Sequence, residues 1–259
     1  MNFLEFAKEI AEYAGSVMLK YIDTDKDASY KEDETIVTRA DKEINDYLIE
    51  RVKSVYPNHA VDGEEAQFGE SEYVWVCDPV DGTAMYARGI RTATFSLALT
   101  LNGETIVAVV NDVFSNKLYY AEKGNGSYCN GKRISVNEFN LKDKQSIGHF
   151  DMWPSAPYNI YDVVKELGKS SYILSIGSVV RACLEVANGG FTFAIFPGTL
   201  HKNCDIAAVN LIVTEAGGIV TDMFGNEQRY DQSINGAIIS NKVVYSEVLE
   251  TIKKYVDSL

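Results

Sequence analysis

The chain has 259 residues, 46% of them hydrophobic and 24% charged, the balance of an ordinary globular protein with a sizeable core. A formal net charge of −13 argues against a broad nucleic-acid footprint, because phosphate backbones need a basic face. It also leaves any small phosphorylated substrate dependent on local cations or bound metal. The four cysteines, Cys77, Cys129, Cys183 and Cys204, are scattered without a C-x-x-C pair. That pattern opposes a zinc ribbon or disulfide framework and suits a reducing compartment.

The N-terminal stretch MNFLEFAKEIAEYAGSVMLKYI has acids inside its apolar pattern. Neither a signal peptide nor a membrane span is expected, and the cytoplasm is the default location. Phe3, Phe6, Ala7, Ile10, Ala14, Val17, Met18 and Tyr21 recur at helical spacing and predict an amphipathic helix over 2–22. The polar run DTDKDASYKEDE (23–34) reads as a mobile surface loop. Ile36, Ile44, Leu48, Val52 and Val55 frame a second helix, with Thr38 and Asp41 in capping-box spacing and Pro57 at its end.

From 73 to 122 the pattern turns to β. YVWVC is a continuous apolar run, as in a strand buried on both faces. ATFSLALTLNGETIVAVVND reads as two strands around Asn102-Gly103, and KLYYAEKGNGSYCNGKRISV continues as a meander. After about residue 142 a second lobe is expected: SYILSIG as strand, SVVRACLEVANGG as helix and FTFAIF as strand. DIAAVNLIVTEAGG follows as a helix with Asp205 at its start, then short strands GIVTD and GAIIS and a last helix over 242–257. Strands and helices alternate in blocks, which suits a layered α+β fold better than a doubly wound array.

Four stretches place acids where the chain turns. Glu64 and Glu65 suit a solvated loop, Asp78 and Asp81 in DPVDGT a tight turn, Asp205 a helix cap and Asp41 a capping box. Together they suit a hard divalent cation, which takes carboxylates, substrate phosphate and water. A strand-to-helix turn can aim Asp78, the Val80 carbonyl and Asp81 into one volume, with the Gly82 and Thr83 amides facing a phosphate. Spacing alone does not bring Glu64 and Asp205 to that turn.

The blocks GEE (63–65), DPVDGT (78–83) and CDIAAVNLIVTEAGG (204–218), in that order, resemble the inositol monophosphatase family of lithium-sensitive, magnesium-dependent phosphatases. The motif D-P-[IVL]-D-G-T is matched without substitution. The W-D-x-A-A and E-A-G-G parts of the second signature lie between Asp205 and Gly218, with Cys204 in the tryptophan place. The upstream V-T-x-x-D is present as Val37 to Asp41, and the resemblance runs from the first helix to the last.

The resemblance implies a single domain over 1–259, an αβαβα sandwich of the inositol monophosphatase / fructose-1,6-bisphosphatase type, with lobes of about 1–142 and 143–259. It implies Glu64, Asp78, the Val80 carbonyl, Asp81 and Asp205 as ligands of two or three Mg²⁺, with Mn²⁺ as a substitute. Asp41 and Thr83 would orient the attacking water, with Glu64 also in the catalytic set. Gly82, Thr83, Gly177, Ser178, Phe196 and Asp205 would line the substrate. The implied reaction is in-line hydrolysis of a small soluble phosphate monoester by a cytoplasmic homodimer, with no phosphoenzyme, no nucleic acid and no membrane. Histidinol-phosphate, fructose-1,6-bisphosphate and 3′-phosphoadenosine 5′-phosphate phosphatases are the alternatives. A catalytically idle relative that binds a metabolite or partner is the alternative of another class.

The substrate end departs from the pattern. Phe196 stands where inositol-phosphate enzymes carry an acid, and FAIFPGTLHKNCD holds a short insertion after it. After DGT, Met85 and Arg91 also depart. Arg88 and Arg91 are candidates for a second anionic group on the substrate, and Arg181 for the pocket mouth. Lys31 falls where relatives place a lysine near a third metal. His201 and Lys202 would flank the pocket, although the mechanism needs no histidine.

Overall fold

The computed structural model describes residues 2–24, 26–31, 35–152, 156–198 and 203–256. Helix α1 (Phe3–Tyr21) buries the predicted stripe, and the Asn2 side chain accepts the Glu5 amide at its N-terminus, 2.8 Å away. The following segment is not wholly loop. Strand β1 (Ser29–Tyr30) pairs antiparallel with β2 (Ile36–Val37), so Ile36 belongs to this ribbon and not to the next helix. Helix α2 (Arg39–Val55) starts at the Thr38 capping box and ends two residues before Pro57.

The chain then builds an eight-stranded sheet from β3 (Ala60–Gly63), β4 (Gln67–Phe68) and β5 (Tyr73–Asp81). After the short α3 (Thr83–Ala87) come β6 (Thr94–Leu101), β7 (Glu104–Asp112), β8 (Lys117–Glu122), β9 (Ser127–Cys129) and β10 (Lys132–Arg133). The order across the sheet is β10-β9-β8-β7-β6-β5-β3-β4. Asn102 and Gly103, both at positive φ, close the β6–β7 hairpin as the two-residue turn predicts.

The second sheet comes from β11 (Ile147–Phe150), α4 (Tyr161–Leu167), β12 (Tyr172–Leu174), α5 (Val179–Ala187) and β13 (Phe193–Phe196). It is completed by α6 (Asn203–Glu215), β14 (Ile219–Thr221), β15 (Ala237–Ser240) and α7 (Tyr245–Tyr255). Its order is β12-β11-β13-β15-β14, with β11 parallel to both neighbours.

Five layers, α1/α2, the large sheet, α5/α6, the small sheet and α4/α7, share three cores, the middle one enclosing α5/α6 on both sides. The period of two in each strand assigns the faces. On β5, Trp75 and Cys77 join the core under α1 and α2, while Val74 and Val76 face α5 and α6. On β13, Ala194 and Phe196 face the middle layer, and Phe193 and Ile195 face α4 and α7. Helix α6 is buried nearly all round because sheets and α5 enclose it. Its Ala207 and Ala208 join Ala98, Ala108 and Ala121 of the large sheet in the same core. The α+β layered sandwich is therefore the fold. No helix among the described residues is long and apolar enough to cross a membrane.

Candidate metal centre

Strand β5 runs through DPVD to Asp81, so this stretch is a strand end and not the tight turn its composition suggests. Asp78 pairs with Ser96 and Asp81 with Thr94, three residues on β5 against two on β6. That irregularity is a β-bulge, and it falls at Pro79, which has no amide to give the ladder. In a regular strand, residues three apart point to opposite faces. The extra residue puts Asp81 back on the face of Asp78, toward the middle layer.

Helix α5 meets this carboxylate from the other half of the chain. Asp81 accepts the Val179 and Val180 amides, each at 3.2 Å, and the Ser178 hydroxyl; Thr94 Oγ1 donates to it at 3.3 Å. The first-turn amides of a helix have no acceptor of their own, so an acid is a natural partner. Gly82 follows at φ +83°, where a side chain is strained, and a Cβ there would lie 3.1 Å from the Gly177 carbonyl. Gly82 can approach the Gly177 carbonyl because it lacks a side chain, whereas a Cβ at Gly177, also at positive φ, would crowd Met85.

Asp41 reaches the same region from α2 and is wholly buried. Its carboxylate accepts the Thr38 amide at 2.9 Å and the Thr38 hydroxyl, completing the capping box. Its other oxygen lies 3.3 Å from Thr83 Oγ1, which also sits 2.8 Å from the Val80 carbonyl. The single hydroxyl proton serves one acceptor at a time, and the Val80 contact is the shorter. Burial pushes the Asp41 carboxyl up to about 7, against the lowering pull of its Thr38 hydrogen bonds.

Glu64 follows β3, whose parallel pairing sets Gly63 beside Cys77, and the Glu64 amide donates to the Cys77 carbonyl at 3.0 Å. Asp205 occupies the first turn of α6. Ligating oxygens of Asp78, Asp81 and Asp205 all lie within 4.8 Å of one another, and all three residues are buried. Atoms of Glu64, Asp78 and Cys204 form a second such group. At that separation two unit charges repel by about 3 kcal/mol for an effective permittivity of 20. Carboxylate oxygens in this number suit a hard divalent cation, so the donor set fits Mg²⁺.

Of the remaining candidates, Ser178 touches this cluster and Phe196 and the arginines are engaged elsewhere. Ser178 spends its hydroxyl on Asp81 and accepts the Arg181 amide at 3.1 Å as the cap of α5. Phe196 is buried in the middle core, its ring 5.5 Å from that of His149. Arg91 pairs with Asp23 through two contacts of 2.7 and 2.8 Å, and Arg88 donates to the Ala84 carbonyl. Arg181 donates to the Ser115 hydroxyl and the Arg91 carbonyl. All three guanidinium groups are thus engaged within the protein. His201 and Lys202 lie outside the described residues.

Several pairings around the site join residues far apart in the chain. Lys31 bridges Glu65 at 2.6 Å and Glu64 at 3.3 Å, tying the β1–β2 ribbon to the acids. Asn203 donates to Asp62 at 2.8 Å and to the Tyr230 carbonyl at 2.9 Å, anchoring the start of α6. His149, Asp151 and Ser175 form a hydrogen-bonded trio at the ends of β11 and β12. Only His149 and Asp151, two residues apart, are local; the other pairs have no spacing that would reveal them.

Comparison with known proteins finds that residues 1–257 match the family model described as the inositol monophosphatase family. An Aquifex aeolicus relative named fructose-1,6-bisphosphatase/inositol-1-monophosphatase is 31% identical, over 99% of this chain and 97% of its own. A Neisseria meningitidis relative named putative Nus factor SuhB is 32% identical, over 98% and 99%. Among solved structures, a Thermotoga maritima IMPase superposes with a TM-score of 0.87 at 27% identity, covering 98% of each chain.

Proposed function

The chain belongs to the inositol monophosphatase family and is a metal-dependent phosphatase of small phosphate esters; on that premise we propose that Mg²⁺ is its cation and that Glu64, Asp78, the Val80 carbonyl, Asp81 and Asp205 hold it. The observation that carries this reading is the convergence of three buried carboxylates from β5 and α6. Buried acids so close together repel one another, and a bound cation would offset that repulsion.

When bound, Mg²⁺ supplies charge neutralisation for the phosphate and makes water nucleophilic at neutral pH. Asp41 and Thr83 orient that water from the α2 side, with Thr83 braced on the Val80 carbonyl. Glu64 completes the set from the end of β3. Gly82, Thr83, Gly177, Ser178 and Asp205 line the phosphate side, where the missing Cβ of Gly82 lets α3 start close against the Gly177 carbonyl. Water attacks phosphorus in line, the ester P–O bond breaks, and the alcohol leaves with a proton from solvent.

The name of the Aquifex relative makes sugar and polyol phosphates the first substrates to test. Phe196 offers no acceptor for hydroxyl protons, so we propose that any polyol is held less through this position than an acid there would allow. A homodimer and lithium sensitivity belong to the same proposal and rest on family membership. A second reading, binding of a partner without turnover, is favoured by the Neisseria relative's name alone. The test is phosphate release from a panel of esters, with Mg²⁺ and without, beside Asp81→Asn. Turnover that needs Mg²⁺ and is lost in the variant is the expected result. No turnover of any ester favours the partner-binding reading, and full activity in Asp81→Asn rejects the ligand assignment.

A further inference from the structure

The two groups of ligating atoms that share Asp78 differ in chemistry. Asp78, Asp81 and Asp205 offer oxygen alone, whereas Glu64, Asp78 and Cys204 combine two carboxylates with a sulfur, all within 4.8 Å. Oxygen sets select hard cations such as Mg²⁺, and a thiol in the set favours softer ones. We propose that Cys204 is a metal ligand on the Glu64 side of the centre and makes that position selective for thiophilic divalent cations of the Zn²⁺ and Cd²⁺ class. The inference rests on the reading of the acid cluster as a metal centre.

The placement of the sulfur supports the assignment. Cys204 lies in the first turn of α6, buried, with Sγ 3.6 Å from Asp205 Oδ1 and so turned to the acids. The other thiols lie elsewhere. Cys77 faces the core under α1 and α2, Cys183 is enclosed in the middle core, and Cys129 sits on β9. Of the four, Cys204 alone joins a group of potential ligands among the described residues. The S–H proton passes to solvent as the sulfur–metal bond forms. Mg²⁺ gains nothing from sulfur and draws on Glu64, Asp78 and water there.

X-ray absorption on the full chain loaded with Zn²⁺ tests this without a variant. A sulfur scatterer at about 2.3 Å is expected. Titrations of Cys204→Ser then follow Zn²⁺ and Mg²⁺ separately by calorimetry. The Zn²⁺ dissociation constant should rise about tenfold or more, the loss seen even for outer-shell partners, and that of Mg²⁺ should change less than threefold. Cd²⁺ should give a thiolate charge-transfer band with the wild type that Cys204→Ser lacks. Zinc held by oxygen or nitrogen alone, zinc that does not bind, or equal zinc affinity in the variant overturns the proposal. Failure of Mg²⁺ to bind while zinc shows its sulfur would instead reject the Mg²⁺ reading and leave this one standing.

Discussion

Replacing Asp205 with Asn should make the metal-free protein more stable and remove most of its stabilisation by Mg²⁺. Oxygens of Asp205, Asp78 and Asp81 lie within 4.8 Å of one another. Each ionised pair at that distance costs about 3 kcal/mol at an effective permittivity of 20. Asn keeps the shape and removes the Asp205 share of that repulsion. Opposing it are the attraction between a first-turn acid and the N-terminus of α6, about 0.3–1 kcal/mol, and the other contacts of Asp205, such as that from Cys204 Sγ at 3.6 Å. Repulsion halved by relaxation is expected to exceed these losses, with a net gain of about 1–3 kcal/mol. In the wild type, Mg²⁺ at a hundredfold excess over Kd should add about 2.7 kcal/mol, and the variant should gain less than about 1. Urea unfolding of both proteins at pH 8, with EDTA and with Mg²⁺, reads both numbers. A variant less stable than wild type without metal, and equally stabilised by Mg²⁺, would refute the reasoning.

Asp41 predicts a pH dependence of the metal-free protein. Its carboxyl is pushed from the ordinary 3.8 up to about 7, so between these values the folded chain holds a proton that the unfolded chain has released. Stability from this group is full below about pH 4 and is lost as pH rises through about 7. Asp41→Asn should flatten the decline between pH 5 and pH 8 in urea unfolding, and an unchanged slope would contradict the assignment. Gly63→Ala should destabilise by about 1–3 kcal/mol, because its Cβ would overlap Asn45 Oδ1 and lie 2.8 Å from the Ala66 carbonyl. Asn45→Ala in the same chain should recover part of that loss, and an additive double variant would locate the strain elsewhere. Arg91→Ala should alter KM less than about twofold and stability by less than about 1 kcal/mol, since its partner Asp23 is largely exposed. A tenfold fall in kcat/KM would instead give Arg91 a place at the substrate.

Much of the fold is legible where a period persists. The stripe of α1, the double-faced burial of β5 and the Asn102-Gly103 hairpin follow from patterns spanning one element each. Strand β11, with Gly148 and His149 at its centre, carries no such pattern, and β3, which ends in Asp62-Gly63, is equally silent; the short α4 does have Ile160, Val163, Val164 and Leu167 at helical spacing, but over only two turns. In the site, DPVDGT gives residue types but not directions. Periodicity alone would send Asp81 to the face opposite Asp78, and only the β6 register exposes the bulge that reverses it. The support of Asp81 by Ser178 and the α5 amides spans nearly a hundred residues, beyond any local signal. Lys31 directly follows a two-residue strand, which has too few positions to alternate and so looks like the loop around it.

The most direct test of the central claim is a crystal grown with Mn²⁺, a substitute for Mg²⁺ with a strong anomalous signal. The account predicts an anomalous peak bounded by oxygens of Asp78, Asp81 and Asp205. Density maps with no ion among these three carboxylates, in crystals whose protein binds Mn²⁺ in solution, would contradict it.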